Sequence, residues 1–313
     1  MRKQKKTQTV HNKHGYFSSS STFQFDKEER EWKGVAEIKL VAAKRNVEMK
    51  ELKIASLNVL FLIYEKEKKE REMHLTKRYP KIMENLRDLE ADVIGLQEVT
   101  KEFSIMLLRE DWVQKSYLTS VDPELSSSLE PYGQMILSKI PFKCIIHQLS
   151  NSKKLIAAEL ILNSQTMLVP VIHLTSSTEK QWKMDPKAVR KQQLEVVYER
   201  ASSATSAIII GDFNIGREEE FEDILRENYV DCWHKLKKEE EGFTLDPKRN
   251  TFVASHSSNG RRVDRILCRS NEWNPVAISL FGTEPFEYCD EYGEKKIMSI
   301  SDHFGLVCSF FFN

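Results

Sequence analysis

The chain has 313 residues, 40% of them hydrophobic, enough for one large core. Its 47 basic and 47 acidic side chains cancel, which excludes a generic polyanion binder and leaves any nucleic-acid affinity to a local patch. Five scattered cysteines (Cys144, Cys232, Cys268, Cys289 and Cys308) without C-x-x-C spacing exclude a disulfide or zinc framework and read as free thiols in a reducing compartment. No run of about 18 apolar residues marks a membrane span, and no apolar stretch follows the basic N-terminus as in a secretory signal. The expected location is nuclear or cytoplasmic, not secreted.

Residues 1–22 are basic and then Ser-rich, and read as a flexible tail. Arg2-Lys3-Gln4-Lys5-Lys6 also has the composition of a nuclear signal or nucleic-acid arm. The stretch 23–40 reads as a small hairpin or helix leaning on the domain, and 1–50 as a partly disordered N-terminal segment. From Glu51 onward strand-like and helical runs alternate. Ile54 to Leu62 is apolar apart from Ser56 and Asn58, which predicts a strand buried on both faces. Ile82, Met83, Leu86 and Leu89 recur at helical spacing over Tyr79 to Glu90. Asp92 to Leu96 is the next strand, and it runs out at Glu98. Gln134–Leu137, Leu155–Leu162 and Met167–His173 are further strands. Asp185-Pro186 starts a helix, with Asp as cap and Pro in the first turn. Ala207–Ile210 leads to Asp212, and Val263–Leu267 and Phe304–Phe312 are the last strands. Residues 51–313 contain no internal repeat and no Gly/Pro linker. They read as one α/β domain of two packed sheets flanked by helices.

The informative residues sit where apolar runs end. Asn58 closes one run, Leu96-Gln97-Glu98-Val99 a second, and Gly211-Asp212-Phe213-Asn214 a third; Arg262-Val263-Asp264-Arg265 and Ser301-Asp302-His303 border two more. Asp212 and Asn214 lie two apart, so an extended segment aims both at one target and turns Phe213 into the core. A carboxylate can take a proton from water, and an amide can orient that water. Glu98 is the first choice of ligand for a hard cation such as Mg²⁺, with Asn58 and Asp302 nearby. His303 can donate to a phosphate oxygen if a carboxylate holds its other nitrogen, a role that fits Asp264. His173 is a second candidate for phosphate contact. Lys180, Lys183, Lys187, Arg190 and Lys191 read either as a phosphate-facing rim or as a solvated helix face. Each segment alone also has an ordinary reading, as a turn, a helix cap or a core-satisfied side chain. Their recurrence at successive strand ends points to metal-assisted hydrolysis of a phosphate ester.

This order of motifs resembles the endonuclease/exonuclease/phosphatase superfamily, which includes deoxyribonuclease I, abasic-site endonucleases, inositol polyphosphate 5-phosphatases and deadenylases. The resemblance covers about residues 51–313 and implies a deoxyribonuclease I-like four-layer α/β sandwich, two mixed sheets between helices. It implies a Mg²⁺ cofactor (Mn²⁺ as a substitute) held by Glu98 with support from Asn58, and Asp302 beside the metal. It also implies that Asp212 and Asn214 position and activate water, and that His303, oriented by Asp264, stabilises the transition state. Within the superfamily, His173-Leu-Thr-Ser176, Gly242-Phe-Thr-Leu-Asp246 and Ser301-Asp-His-Phe-Gly-Leu306 resemble the tyrosyl-DNA phosphodiesterase branch. That branch implies 5′-phosphotyrosyl or related nucleic-acid diesters as substrates, a repair role, a DNA or RNA end as partner, and a monomer. Ser176, Arg217 and Arg190 are the candidate substrate contacts. Three positions depart from the branch: Thr175 stands where Glu is usual, Arg217 falls one place late, and Leu245 replaces an aromatic expected to stack on a base. A deadenylase-like or other nuclease is the alternative enzyme, and an inactive scaffold on this fold is the alternative of another class.

Overall fold

The computed structural model describes residues 10–12, 15–35, 46–61, 74–122, 129–150, 153–177, 185–253, 258–290 and 292–313. Leu62, Lys180, Lys183 and residues 1–9 and 36–40 lie outside them. Eighteen strands appear among the described residues. In chain order β1 is Val10–Asn12, β2 Gly15–Ser20, β3 Thr22–Asp26, β4 Glu31–Val35, β5 Glu51–Asn58, β6 Val93–Val99, β7 Leu118–Thr119, β8 Gly133–Ser138 and β9 Lys143–Gln148. There follow β10 Lys154–Leu162, β11 Gln165–His173, β12 Ser206–Asp212, β13 Val230–Asp231, β14 Asp264–Arg269, β15 Trp273–Phe281, β16 Phe286–Cys289, β17 Lys295–Met298 and β18 Gly305–Phe312. The helices are α1 Tyr79–Asp88, α2 Lys101–Leu107, α3 Asp111–Ser116, α4 Pro186–Ala201, α5 Glu218–Glu222 and α6 Cys232–Leu236.

One eight-stranded sheet runs β1-β2-β9-β10-β11-β12-β14-β13 and the other β15-β18-β5-β6-β8-β7-β3-β4. Both are mixed, because β5 pairs parallel with β6 and β11 parallel with β12. Each of those strands is apolar on both faces, so each sheet buries two sides. Ile54, Val93, Val171, Ile210, Ile266 and Leu306 fill the layer between the sheets. Ala55, Leu57, Ile94 and Leu96 turn outward onto Ile82, Leu86 and Phe103 of α1 and α2. Leu155, Ile172 and Ile209 turn outward onto Leu194, Val197 and Tyr198 of α4. Helix, sheet, sheet and helix make four layers, as the resemblance implies.

Gly95 of β6 leaves the facing sheet room to pack close. A Cβ there would stand 2.7 Å from both Val171 and Ile210 of the facing sheet. The stretch 10–20, expected as a tail, instead pairs β1 on β2 and β2 on β9. A sheet edge recruits backbone donors and acceptors whatever side chains a strand carries, so a Ser-rich strand leaves no apolar alternation to read. The stretch 23–40, read as a small hairpin or helix, holds the hairpin β3–β4 over Thr22–Val35, and β3 pairs with β7 in the second sheet.

Candidate active site

The two parallel pairs end at matching heights. Asn58 lies opposite Gln97 in one sheet, and His173 opposite Asp212 in the other. The pairing of β6 with β8 slips between Leu96 and Val99, and Glu98 within that bulge has φ 57°. A left-handed glutamate is unusual and costly, and bulges of this kind re-aim side chains at functional edges. Gln97 meanwhile stays in the sheet and donates to the Ser56 hydroxyl and the Gly95 carbonyl.

Glu98 turns onto Asn58, whose amide Nδ2 donates to Glu98 Oε1 and to Asp212 Oδ2, both at 3.2 Å. One amide therefore joins carboxylates from the two sheets. The Phe61 N–H holds the other oxygen, Glu98 Oε2, at 2.7 Å. Gly211 precedes Asp212 with φ 133°, and a Cβ there would meet the Ile172 carbonyl oxygen at 2.1 Å, so only glycine fits this strand position. Asn214 converges on Asp212 by a different route from strand alternation. Its φ is 53°, its N–H donates to Asp212 Oδ1 at 2.8 Å, and its Nδ2 donates to Asp212 Oδ2 and the Leu174 carbonyl. Phe213 is buried, as expected.

The two histidines approach Asp212 from different elements. His173 Nε2 lies 3.6 Å from Asp212 Oδ2 and 3.8 Å from Glu98 Oε1. His303 Nδ1 lies 2.7 Å from Asp264 Oδ2, and its Nε2 is 3.9 Å from Asp212 Oδ2 and from Asp302 Oδ1. Asp264, buried, fixes which ring nitrogen of His303 faces the site. Asp264 is itself held, because the Thr244 hydroxyl accepts from the Val263 and Asp264 N–H groups. Arg262 and Arg265 on either side bind Asp231 and Glu218.

The charges are mutually adjusted. Burial pushes the Asp212 carboxyl up to about 7 against the pull of His303. Burial and the Asp302 charge raise Glu98, against the Phe61 N–H and Asn58. Burial alone would discharge His303, but Asp264, Asp302 and Asp212 together hold it well above its usual range. Burial, with Lys153 and His303 nearby, holds His173 well below it. The surroundings thus favour the charged form of His303 and the neutral form of His173.

The donor set fits a hard divalent cation. Carboxylate oxygens of Glu98 and Asp302 are the ligand types such ions take, Asn58 supports Glu98 through its amide nitrogen while its Oδ1 accepts from the Leu60 N–H, and Asp212, Asp264 and His303 place ligand atoms within 4.8 Å of one another. Glu98 and Asp212, carboxyls that burial disfavours in charged form, would gain most from a cation.

Ser176 and Arg217 lie on loops leaving the same edge, partly exposed and exposed respectively. Arg190 does not join the rim expected of it. It is 3% exposed, paired with Glu220 at 2.5 Å, and donates to the Thr175 carbonyl and the Ser177 hydroxyl. It sits on the sheet-facing side of α4 beside Val189 and Gln193, where a neutralised guanidinium is a fastener. Lys187 pairs with Asp223 at 3.2 Å. Of the departures, Thr175 is fully buried: its N–H donates to Gln193 Oε1, and its hydroxyl bonds Gln193 Nε2 at 2.9 Å. Leu245 packs with Val253 and Val263.

Arg78 carries no motif and was not legible in the sequence. It is 1% exposed and donates to the carbonyls of Val59, Leu60 and Ile300, so it ties the loop after Asn58 to the loop before Ser301. Asn250 likewise donates to the Ser301 and Asp302 carbonyls. The one available signal was an arginine just ahead of a helix that opens Tyr-Pro.

The fold and this constellation define a metal-dependent phosphoesterase. The chain belongs to the endonuclease/exonuclease/phosphatase family, whose model matches residues 55–303 and whose members are metal-dependent hydrolases of phosphate esters. No curated protein matches it by sequence. Among solved structures it resembles D. rerio TDP2 complexed with a single-strand DNA product, at 24% identity and TM-score 0.63 over 83% of this chain and 98% of that one. It also resembles C. elegans TDP2, at 18% and 0.62 over 88% and 81%. The mannosyl-6-phosphatase of Bacteroides thetaiotaomicron is similar at 16% and 0.61 over 83% and 100%. At these identities each likeness shows the fold. Among the described residues no helix is long and apolar enough to cross a membrane.

Proposed function

We propose that the chain is a Mg²⁺-dependent phosphodiesterase acting on 5′-phosphotyrosyl or related nucleic-acid diesters, in repair of nucleic-acid ends. The observation that carries the reading is the Asp212 carboxylate, bracketed by two amides and two histidines beside Glu98. A base poised near neutral pH suits water activation. Asp212 takes the proton of the attacking water, which Asn214 helps orient. Asp264 holds His303 Nδ1, so the charged ring presents Nε2–H to a phosphate oxygen as negative charge grows there. Neutral His173 contacts the phosphate without repelling His303. A divalent cation held by Glu98 and Asp302, with Asn58 supporting Glu98, would supply charge neutralisation at the phosphate and leaving oxygens. Ser176 and Arg217 are the proposed contacts to the rest of the substrate. The nucleic-acid partner is supported by the DNA product in the D. rerio structure.

A sugar-phosphate monoester is the second reading, favoured by the Bacteroides likeness and by a Leu245 buried with valines rather than offered to a base. A panel decides between them: 5′-tyrosyl DNA, 5′-tyrosyl RNA, poly(A), abasic DNA and mannose 6-phosphate, each with Mg²⁺ and with chelator. Chelator-sensitive cleavage of the tyrosyl substrates is expected. Turnover of the sugar phosphate alone would overturn the proposal, and turnover of none would favour the scaffold alternative.

A further inference from the structure

Between β15 and the catalytic loop the chain leaves both large sheets and forms a sheet of two strands, β16 and β17. Ser299 and Ile300 alone separate β17 from Ser301-Asp302-His303. The base of this hairpin is fastened. Phe286 packs against the apolar cluster of α1 and α2, and Met298 is buried. The Ser299 N–H donates to the Thr251 hydroxyl at 2.9 Å, and the Thr251 N–H to the Ser299 hydroxyl at 3.0 Å. Asn250, next to Thr251, holds the Ser301 and Asp302 carbonyls. The far end is ordered too: Asp290 Oδ1 accepts from the Tyr292 and Glu294 N–H groups, and Gly293 has φ 79°.

This ordered hairpin holds apolar surface out in water. Tyr292 is 80% exposed and Ile297 62%. Exposed area of this kind on a rigid support marks a contact surface. The backbone defines the class of partner that fits. The Asp290 N–H donates to the Glu294 carbonyl, so antiparallel alternation turns the N–H and C=O groups of Glu287 and Cys289 out of one edge and those of Lys295 and Ile297 out of the other. Among the described residues no third strand covers either edge. An open edge takes an extended polypeptide, which supplies matching backbone groups. The two edges differ. β17 carries Lys295 and Lys296, the usual guard against strand addition, and β16 carries no lysine. Charge selects further. Glu284, Glu287, Asp290 and Glu294 outnumber the two lysines, which pair with Glu287 at 3.4 Å and Glu294 at 2.8 Å. The hairpin therefore keeps no cation for a phosphate backbone and a surplus of carboxylates for a basic chain.

We propose that the β16 edge docks the polypeptide joined to the scissile phosphate, as an added strand with basic and apolar side chains, while the loop at the base of the hairpin acts on the diester. The inference rests on the phosphodiesterase reading and deepens it by assigning a surface to the protein side of the substrate. Because β17 runs straight into the catalytic loop, the polypeptide nearest this edge is the one the substrate carries. The outward backbone groups of Glu287 and Cys289 pair with it whatever its sequence, and the Glu287 carboxylate favours lysine or arginine on it. A tyrosine with no chain attached offers this edge no strand.

Three 5′-DNA ends test it: phosphotyrosine alone, phosphotyrosine within a short peptide of alternating Lys and Val, and the same peptide with Glu for Lys. Wild-type protein with Mg²⁺ is expected to favour the basic peptide over tyrosine alone by about tenfold in kcat/KM, the worth of one or two net hydrogen bonds. The acidic peptide should show no such gain. Glu287→Pro deletes an outward N–H and Glu287→Lys reverses the charge; both are expected to erase the preference while tyrosine alone stays within about twofold of wild type. Ile297→Pro, on the opposite edge, is expected to keep it. Equal kcat/KM on all three ends in the wild-type protein, or an equal gain on the acidic peptide, would overturn the docking edge while the activity stands. Variants that lose as much on tyrosine alone as on the basic peptide would show that the hairpin acts only through the Thr251–Ser299 fastening, and would overturn it too. Wild-type protein that cleaves none of the three would overturn the phosphodiesterase reading, and the docking edge with it.

Discussion

The crossovers β5–α1–β6 and β11–α4–β12 are built alike and used differently. Each joins parallel strands, each helix has proline at its start, and each carries a buried arginine reaching the loop after its first strand. Arg78 grips the Val59 and Leu60 carbonyls, and Arg190 the Thr175 carbonyl. They part at the next contact. Arg78 continues to the Ile300 carbonyl, one residue before Ser301-Asp302-His303. Arg190 continues to Glu220 on α5, away from the chemistry. One crossover thus ties two loops of the site together, and the other ties its loop to the scaffold.

The comparison is sharpest where neither fastener is touched. Asp212→Asn and His303→Ala leave both arginines in place and are expected to lower kcat by about 10²–10³ or more, the usual cost of losing a group that acts in the transition state. The unfolding curve of Asp212→Asn should stay close to wild type, whereas His303→Ala leaves buried Asp264 without its ion-pair partner and should unfold at lower denaturant while still folding in its absence. Near-wild-type turnover in either variant would remove the assigned chemistry.

The arginines themselves come next. Arg78→Met strands three buried carbonyls at the site, and is expected to lower kcat/KM about tenfold and to raise the Mg²⁺ concentration at half-maximal rate. Arg78→Lys, which restores some donors, should recover part of both. Arg190→Met leaves the Glu220 carboxylate unpaired and is expected to cost about 3–5 kcal/mol of stability while the folded fraction keeps its Mg²⁺ midpoint. Denaturant unfolding and Mg²⁺ titrations of rate, run side by side, measure both. Matching effects from the two arginines would erase the distinction between the crossovers.

Much of this architecture was open to reading because it lives in local pattern. The doubly apolar runs before Asn58, Glu98 and Asp212 gave the central strands, and Asp185-Pro186 gave the start of α4 with its side-chain cap. Buried parallel strands must be apolar throughout, so a polar residue at their end is conspicuous. The parts that escaped are made by partners distant in sequence. β15, with Pro275 and exposed Val276 and Ser279, follows no simple alternation and is defined by pairing with β18. Short helices such as α5 and α6 lack the length for a period. Arg190 resembles any helix arginine until Glu220, thirty residues on, folds against it. Arg78 is opaque for the same reason, since two of its acceptors precede it by 18–19 residues and the third follows by 222. The Asp212–Asn214 convergence was anticipated with the wrong geometry, because a left-handed turn at Asn214 is no more visible in sequence than the bulge at Glu98.

The raised carboxyls predict how pH couples to metal. Asp212 sits at about 7 in the folded protein against an ordinary 3.8, and Glu98 is also raised. Between about pH 4 and 7 the folded state therefore holds a proton that the unfolded chain has shed, so this group's contribution to stability falls as pH rises through that window. Cation binding needs the charged forms and strengthens over the same window. The Tm increase produced by a fixed Mg²⁺ concentration should be larger at pH 8 than at pH 5.5, and Glu98→Gln should flatten the difference. An increment independent of pH in the wild-type protein would show that these carboxyls do not face the cation.

The smallest effect tests the second crossover at a position where the chain departs from the branch it resembles. Thr175 is spent on Gln193: one bond from its N–H, one to its hydroxyl, with Gln193 Nε2 also 3.3 Å from Ser150 Oγ. Thr175→Val keeps shape and backbone but removes the hydroxyl, leaving Gln193 Nε2 with Ser150 as its remaining partner. The expected cost is about 1 kcal/mol of stability, the size of one net hydrogen bond, with kcat/KM and the Mg²⁺ midpoint within about twofold of wild type. If the hydroxyl instead served the substrate, the loss would fall on kcat/KM and spare the unfolding midpoint. That result would move Thr175 from scaffold to site and make the two crossovers equivalent after all.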